Sequence, residues 1–138
     1  MTDIVPFVEK TYRVRSDARS RAIAGLSMGG GQTQRVLVTR PDAFAYVAIW
    51  SAGVRPEGAE AFEKEAASFL AAPEKARNEI RLLSIRVGEK DFALPGSRNL
   101  DALLTKNRIE HEFQVNGGAH TWINWRLYLS ELLPRLFR

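Results

Sequence analysis

The chain has 138 residues, 45% of them hydrophobic, no cysteine, and a formal net charge of +4 from 20 basic and 16 acidic side chains. That length supports a single domain with a core of its own, and the composition excludes a disulfide-stapled scaffold, a collagen-like repeat and a low-complexity chain. No apolar run approaches the roughly 20 residues that a membrane-crossing helix needs.

From Asp3 onward, Ile4, Val5, Val8 and Tyr12 recur at helical spacing and predict an opening helix, closed by the polar pair Ser16 and Asp17. Arg21 to Leu26 is a short apolar run ending in a cluster of glycines, the pattern of a buried strand entering a tight turn. A helix is expected from Met28 to about Val38, stopped by Pro41. Phe44 to Ser51, aromatic and almost continuously apolar, predicts a second strand covered on both faces. Phe62, Ala66, Phe69 and Leu70 then mark a helix that Pro73 ends, and Ile80 to Val87 a third strand with Gly88 to Asp91 as its exit loop. A helix from about Gly96 to Asn107 follows, then a strand from Glu110 to Val115, the loop Asn116 to His120, and a last helix carrying Trp122, Trp125, Leu129 and Leu132. One helix followed by four strand-helix units predicts an α/β fold, a mostly parallel four-stranded sheet flanked by helices, with residues 1–138 as one domain.

The basic residues are scattered. The group Arg13, Arg15, Arg19 and Arg21 has no interleaved stacking aromatics and no reading helix, so it is expected to be a solvated turn, and nucleic acid is not an expected partner. No membrane association is expected either. Met1 to Lys10 lacks a basic stretch followed by an apolar run and a cleavage site, which predicts a cytoplasmic location, with secretion from a longer, trimmed precursor as the alternative.

Gly25-Leu26-Ser27-Met28-Gly29 matches G-x-S-x-G and falls between a predicted strand and a predicted helix, the context in which that pattern forms a nucleophile elbow. A serine on so sharp a turn has a strained backbone, and side chains two residues to either side are expected to collide with neighbouring backbone, which accounts for Gly25 and Gly29. The competing readings are a helix-capping serine and a phosphate-binding glycine nest at Gly29-Gly30-Gly31. The nest lacks the lysine and the serine or threonine of a P-loop.

A serine hydroxyl needs a base within hydrogen-bond reach and a third group to orient that base. Of the two histidines, His120 follows the last strand on the sheet edge where Ser27 emerges, because the carboxyl ends of parallel strands share one edge. His111 falls at the opposite end and is expected to be a solvated surface residue. Asp91, just past the third strand, is the candidate orienting acid, with Glu89 in reserve; the plain alternative for Asp91 is a turn aspartate bonded to its own backbone. The chain order Ser27, Asp91, His120 is the nucleophile, acid, base order of the α/β-hydrolases.

Arg21 to Gly30, Val87 to Asp91, and Gly117-Gly118-Ala119-His120-Thr121-Trp122 with Trp125 together resemble the esterase D and feruloyl esterase type within the α/β-hydrolases, with the enterochelin esterases as near relatives. The resemblance runs through essentially the whole chain, including Val8 to Tyr12 of the opening helix, and corresponds to the carboxyl-terminal half of the family fold. It implies a serine esterase that works through an acyl-enzyme on a small-molecule ester, short-chain or aryl, with no metal and no cofactor. Ser27 would be the nucleophile, His120 the general base and then acid, Asp91 the orienting carboxylate, and the main-chain amide of Met28 one oxyanion donor. Phe92 and Trp122 are candidates for an acyl pocket, whereas Trp50 and Trp125 are expected to pack in the core.

Family members carry strands ahead of the segment that begins here, and these supply the second oxyanion donor; losing one such donor typically costs on the order of a hundredfold or more in rate. Ala22 to Leu26 is therefore expected to be an apolar edge strand, which favours a homodimer or higher homo-oligomer. The rival reading is a non-catalytic half-domain that keeps the triad residues and associates through that edge.

Overall fold

The strands are the four places where apolar residues run without interruption or alternate: β1 (Ala22–Leu26), β2 (Tyr46–Trp50), β3 (Leu82–Gly88) and β4 (Glu112–Asn116). A computed structural model of the chain, describing residues 2–138, arranges them as one sheet in the order β1-β2-β3-β4, every pair parallel. Parallel neighbours require crossovers, and the helices supply them: α1 (Ile4–Thr11) precedes the sheet, α2 (Met28–Thr39), α3 (Ala59–Leu70), α4 (Pro73–Glu79) and α5 (Leu94–Lys106) connect the strands, and α6 (Trp122–Leu132) closes the chain.

The two central strands are buried along their whole length, as sheet layered between helices requires. On one face, Val47, Ile49, Leu83 and Ile85 meet Leu37 of α2, Phe69 of α3 and Leu100 and Leu104 of α5. Burying each such side chain stabilises the fold by roughly 1.5–3 kcal/mol. On the other face, Tyr46, Ala48 and Trp50 meet α6 through Trp125, Tyr128 and Leu132, and Tyr46 also packs edge-on against Phe137. Arg86 also points to that side, where it bonds Gln114, pairs with Glu131 and lies over the Tyr128 ring. Burial pushes the Tyr128 hydroxyl above the usual phenol range, with the Arg86 charge opposing and the Asp91 charge reinforcing the shift.

The sheet is thus covered asymmetrically, and β1 is an edge strand with Ala24 exposed. Along α6 and the turn that follows it, Ile123, Leu127 and Leu133 are left in solvent. Among the described residues no helix is long and apolar enough to cross a membrane.

Four expectations are corrected. Pro73 does not merely end a helix; it opens α4, because proline at the first helical turn costs no hydrogen bond. The strands are shorter or shifted relative to the apolar runs, since Phe44, Ala45, Ile80 and Arg81 belong to turns that feed β2 and β3. His111 is not solvated: its side chain is 6% exposed, with Nε2 2.9 Å from Asp101 Oδ1 and Nδ1 2.8 Å from the Ile109 carbonyl. Of the arginine group, Arg13, Arg15 and Arg19 are exposed as expected, while Arg21 is half-buried and paired with Glu9 of α1.

Candidate active site

All the site residues come from segments that leave the carboxyl ends of the strands. Ser27, between β1 and α2, has φ 53° and ψ −121°, a conformation that costs a residue with a side chain about 1–3 kcal/mol. The turn is held because Ser27 N donates to the Trp50 carbonyl at the end of β2, 2.9 Å away. It is also held by close packing. A Cβ on Gly25 would fall 2.1 Å from the Gly29 carbonyl oxygen, and one on Gly30 would fall 2.7 Å from the Ala52 Cβ. A Cβ on Gly29 would meet open space, so the second glycine that the elbow needs for room is Gly30 and not Gly29.

The serine side chain makes no helix-capping bond. Its Oγ lies 2.9 Å from His120 Nε2, and His120 Nδ1 lies 2.9 Å from Asp91 Oδ1. The Asp91 side chain is fully buried and the His120 side chain is 20% exposed. Asp91 Oδ1 also accepts from the Ala93 amide at 2.8 Å, so Asp91 is a turn aspartate and the histidine's partner at once. Glu89 is solvent-exposed, and among the described residues it makes no bond to His120. With its Nδ1 donating to the carboxylate, the imidazole presents Nε2 as an acceptor to the serine hydroxyl.

The first bond of α2 runs from Gly31 N to the Ser27 carbonyl at 3.1 Å, so the amides of Met28, Gly29 and Gly30 precede the helix's own bonds and form its positive end beside Ser27. In front of the serine lies an open cleft of about 650 Å³, with Ser27, Met28, Ser51, Arg55, Phe92 and Pro95 on its walls. Phe92 is 78% exposed, and its ring centroid lies 4.3 Å from that of His120. Trp122 does not line this cleft. It lies on the outer side of α6, 68% exposed, edge-on to Trp125 at 5.3 Å, because the buried face of the helix is made by Asn124, Trp125, Tyr128 and Leu132. Trp50 and Trp125 are core residues, as expected.

Two residues at the site were not singled out in the sequence. Ser51, with φ 51°, is buried at the end of β2, where its Oγ accepts from Trp125 Nε1 at 2.8 Å. Asn124, buried in the first turn of α6, donates to the Ala119 carbonyl at 3.1 Å. Nothing local marks either one: the Trp125 partner of Ser51 is far away in the chain, and the partner of Asn124 is a main-chain carbonyl, which carries no sequence signal. Among the described residues no cluster of three or more metal-ligating side chains occurs.

The family model described as "Putative esterase" matches residues 2–136. An endo-1,4-beta-xylanase/feruloyl esterase from Xylanibacter ruminicola is 24% identical over 136 residues, 99% of this chain and 17% of the relative. A solved ferulic acid esterase superposes with a TM-score of 0.79 at 28% identity, covering 96% of this chain and 56% of its own. S-formylglutathione hydrolase from Staphylococcus aureus gives a TM-score of 0.79 at 21% identity, with 99% and 59% covered. The chain therefore spans little more than half the length of these solved relatives. A parallel sheet between helices, a serine on a glycine-framed elbow and a match over nearly every residue agree with one another, and the chain belongs to the esterase family of the α/β-hydrolase fold.

Proposed function

We propose that the chain hydrolyses carboxylic esters through an acyl-enzyme on Ser27. The observation that carries this reading is the continuous line from Ser27 Oγ to His120 Nε2 and from His120 Nδ1 to Asp91 Oδ1, 2.9 Å at each step. Ser27 Oγ attacks the ester carbonyl carbon as its proton passes to His120 Nε2, and the carbonyl oxygen becomes an oxyanion facing the Met28 amide. The tetrahedral intermediate collapses, the C–O bond to the alcohol breaks, and His120 returns the proton to the departing oxygen. Water then attacks the acyl carbon, again losing its proton to His120, and the acid leaves as Ser27 regains its hydrogen. Asp91 holds the imidazole in the required tautomer.

The open cleft and the exposed Phe92 beside the imidazole suit short-chain or aryl acyl groups, and the similarity to feruloyl and ferulic acid esterases points the same way. The reading includes self-association. β1 contains no charge and no proline and has one unpaired edge, so two copies can pair antiparallel across a two-fold axis.

The test is hydrolysis of p-nitrophenyl acetate, with light scattering on the same samples. Turnover well above background is expected, from particles of at least twice the 15.5 kDa chain mass. A well-folded but inert protein would contradict the catalytic reading and favour the non-catalytic half-domain. A monomer would remove the self-association.

A further inference from the structure

His120 and Asp91 sit on different loops and must be held in register. Asp91 Oδ1 is fixed by His120 and by the Ala93 amide, but Oδ2 is buried and has no hydrogen-bond partner among the described residues. The carboxylate's aim therefore depends on the two loops that carry the pair. These loops are laced together, Glu89 N to the Asn116 carbonyl at 2.8 Å and Lys90 N to the Gly118 carbonyl at 2.9 Å.

The side chain of Asn124 enters this seam from α6. A Cβ on Gly88, at the end of β3, would lie 2.7 Å from Asn124 Nδ2, and one on Gly118 would lie 2.6 Å from Asn124 Oδ1. The amide is thus wedged between the backbones of both loops, and both positions are open to it only because they are glycine. Gly118 has φ 95°, which further restricts that position to glycine. Nδ2 donates to the carbonyl of Ala119, the residue before His120, at 3.1 Å. Asn124 is 6% exposed on the same helix face as Trp125, Tyr128 and Leu132, where an apolar side chain would avoid the cost of burying an amide.

We infer that Asn124 is a positioning residue, a clamp that fixes the Asp91 loop to the His120 loop and so sets the histidine-carboxylate contact. The inference rests on the proposed roles of Asp91 and His120. It acts through their geometry and does not require Asn124 to touch substrate.

The test compares wild type with Asn124→Ala and with Asn124→Asp, which keeps the shape but loses the donor at neutral pH. The readout that does not depend on turnover is the low-field proton NMR resonance of His120 Nδ1–H. His111, held by Asp101 and the Ile109 carbonyl, serves as the internal control. In both variants the His120 resonance should vanish or exchange at least tenfold faster, with that of His111 unchanged. Ester turnover should fall at least tenfold in kcat, with KM within twofold. An unchanged His120 resonance, or a loss of kcat no greater than the loss of folded protein, would overturn the inference. Loss of both histidine resonances, as in an unfolded variant, would also count against it, since Asn124 would then be a general packing residue. If the wild type shows the His120 resonance but hydrolyses no ester, the catalytic reading fails while the NMR comparison still decides the role of Asn124.

Discussion

Ser27→Ala should lower ester hydrolysis by a factor on the order of 10⁴ or more, toward the rate that binding and the remaining donors sustain alone. The variant should remain folded, because the elbow is held by the Ser27 amide on the Trp50 carbonyl and by the packing of Gly25 and Gly30, none of which involves the hydroxyl. Ser27→Gly should be equally inactive but more stable than Ser27→Ala by about 1 kcal/mol, since at φ 53° an alanine keeps the backbone strain and a glycine removes it. Denaturant midpoints of the two variants measure this. Equal stability would mean that the elbow stores no strain, and activity surviving in either variant would remove Ser27 from the chemistry.

Asp91→Asn should reduce kcat by about 10³–10⁴ with little change in fold. An asparagine with its oxygen in the Oδ1 place still accepts from both the Ala93 amide and His120 Nδ1, but it carries no charge to stabilise the imidazolium that forms as Ser27 gives up its proton. Its amide takes the buried Oδ2 place, where no partner is present among the described residues. Glu89→Gln is the matched control. Glu89 is exposed, so its variant should keep wild-type kcat, and a large loss there would shift the acid role to it.

The sequence marks the strongly patterned parts of this molecule. The central strands are continuously apolar because both faces are covered, and the glycines around Ser27 announce a turn that few other residues can make. The rule that parallel strands share a carboxyl edge brings Ser27, Asp91 and His120 to one end of the sheet, and in the structure they lie within hydrogen-bond distance in sequence.

Features decided across the chain stay hidden from local pattern. Gly29 and Gly30 are indistinguishable as letters, and only the Ala52 Cβ and the Trp50 carbonyl single out Gly30. Pro73 ends one helix and begins another, and a proline is compatible with either. Trp122 and Trp125 differ by less than one helical turn, yet one faces solvent and the other the core. His111 lies away from the shared edge in both readings, but its pairing with Asp101 ten residues earlier has no spacing signature.

The most direct test of the account is intact-mass analysis of the wild-type chain after incubation with an alkyl fluorophosphonate, followed by peptide mapping. The account predicts one phosphonyl group per chain, attached at Ser27 and absent from Ser27→Ala. A folded wild type that takes up no reagent, or that carries it on another residue, would contradict the claim that this half-length sheet holds an activated serine.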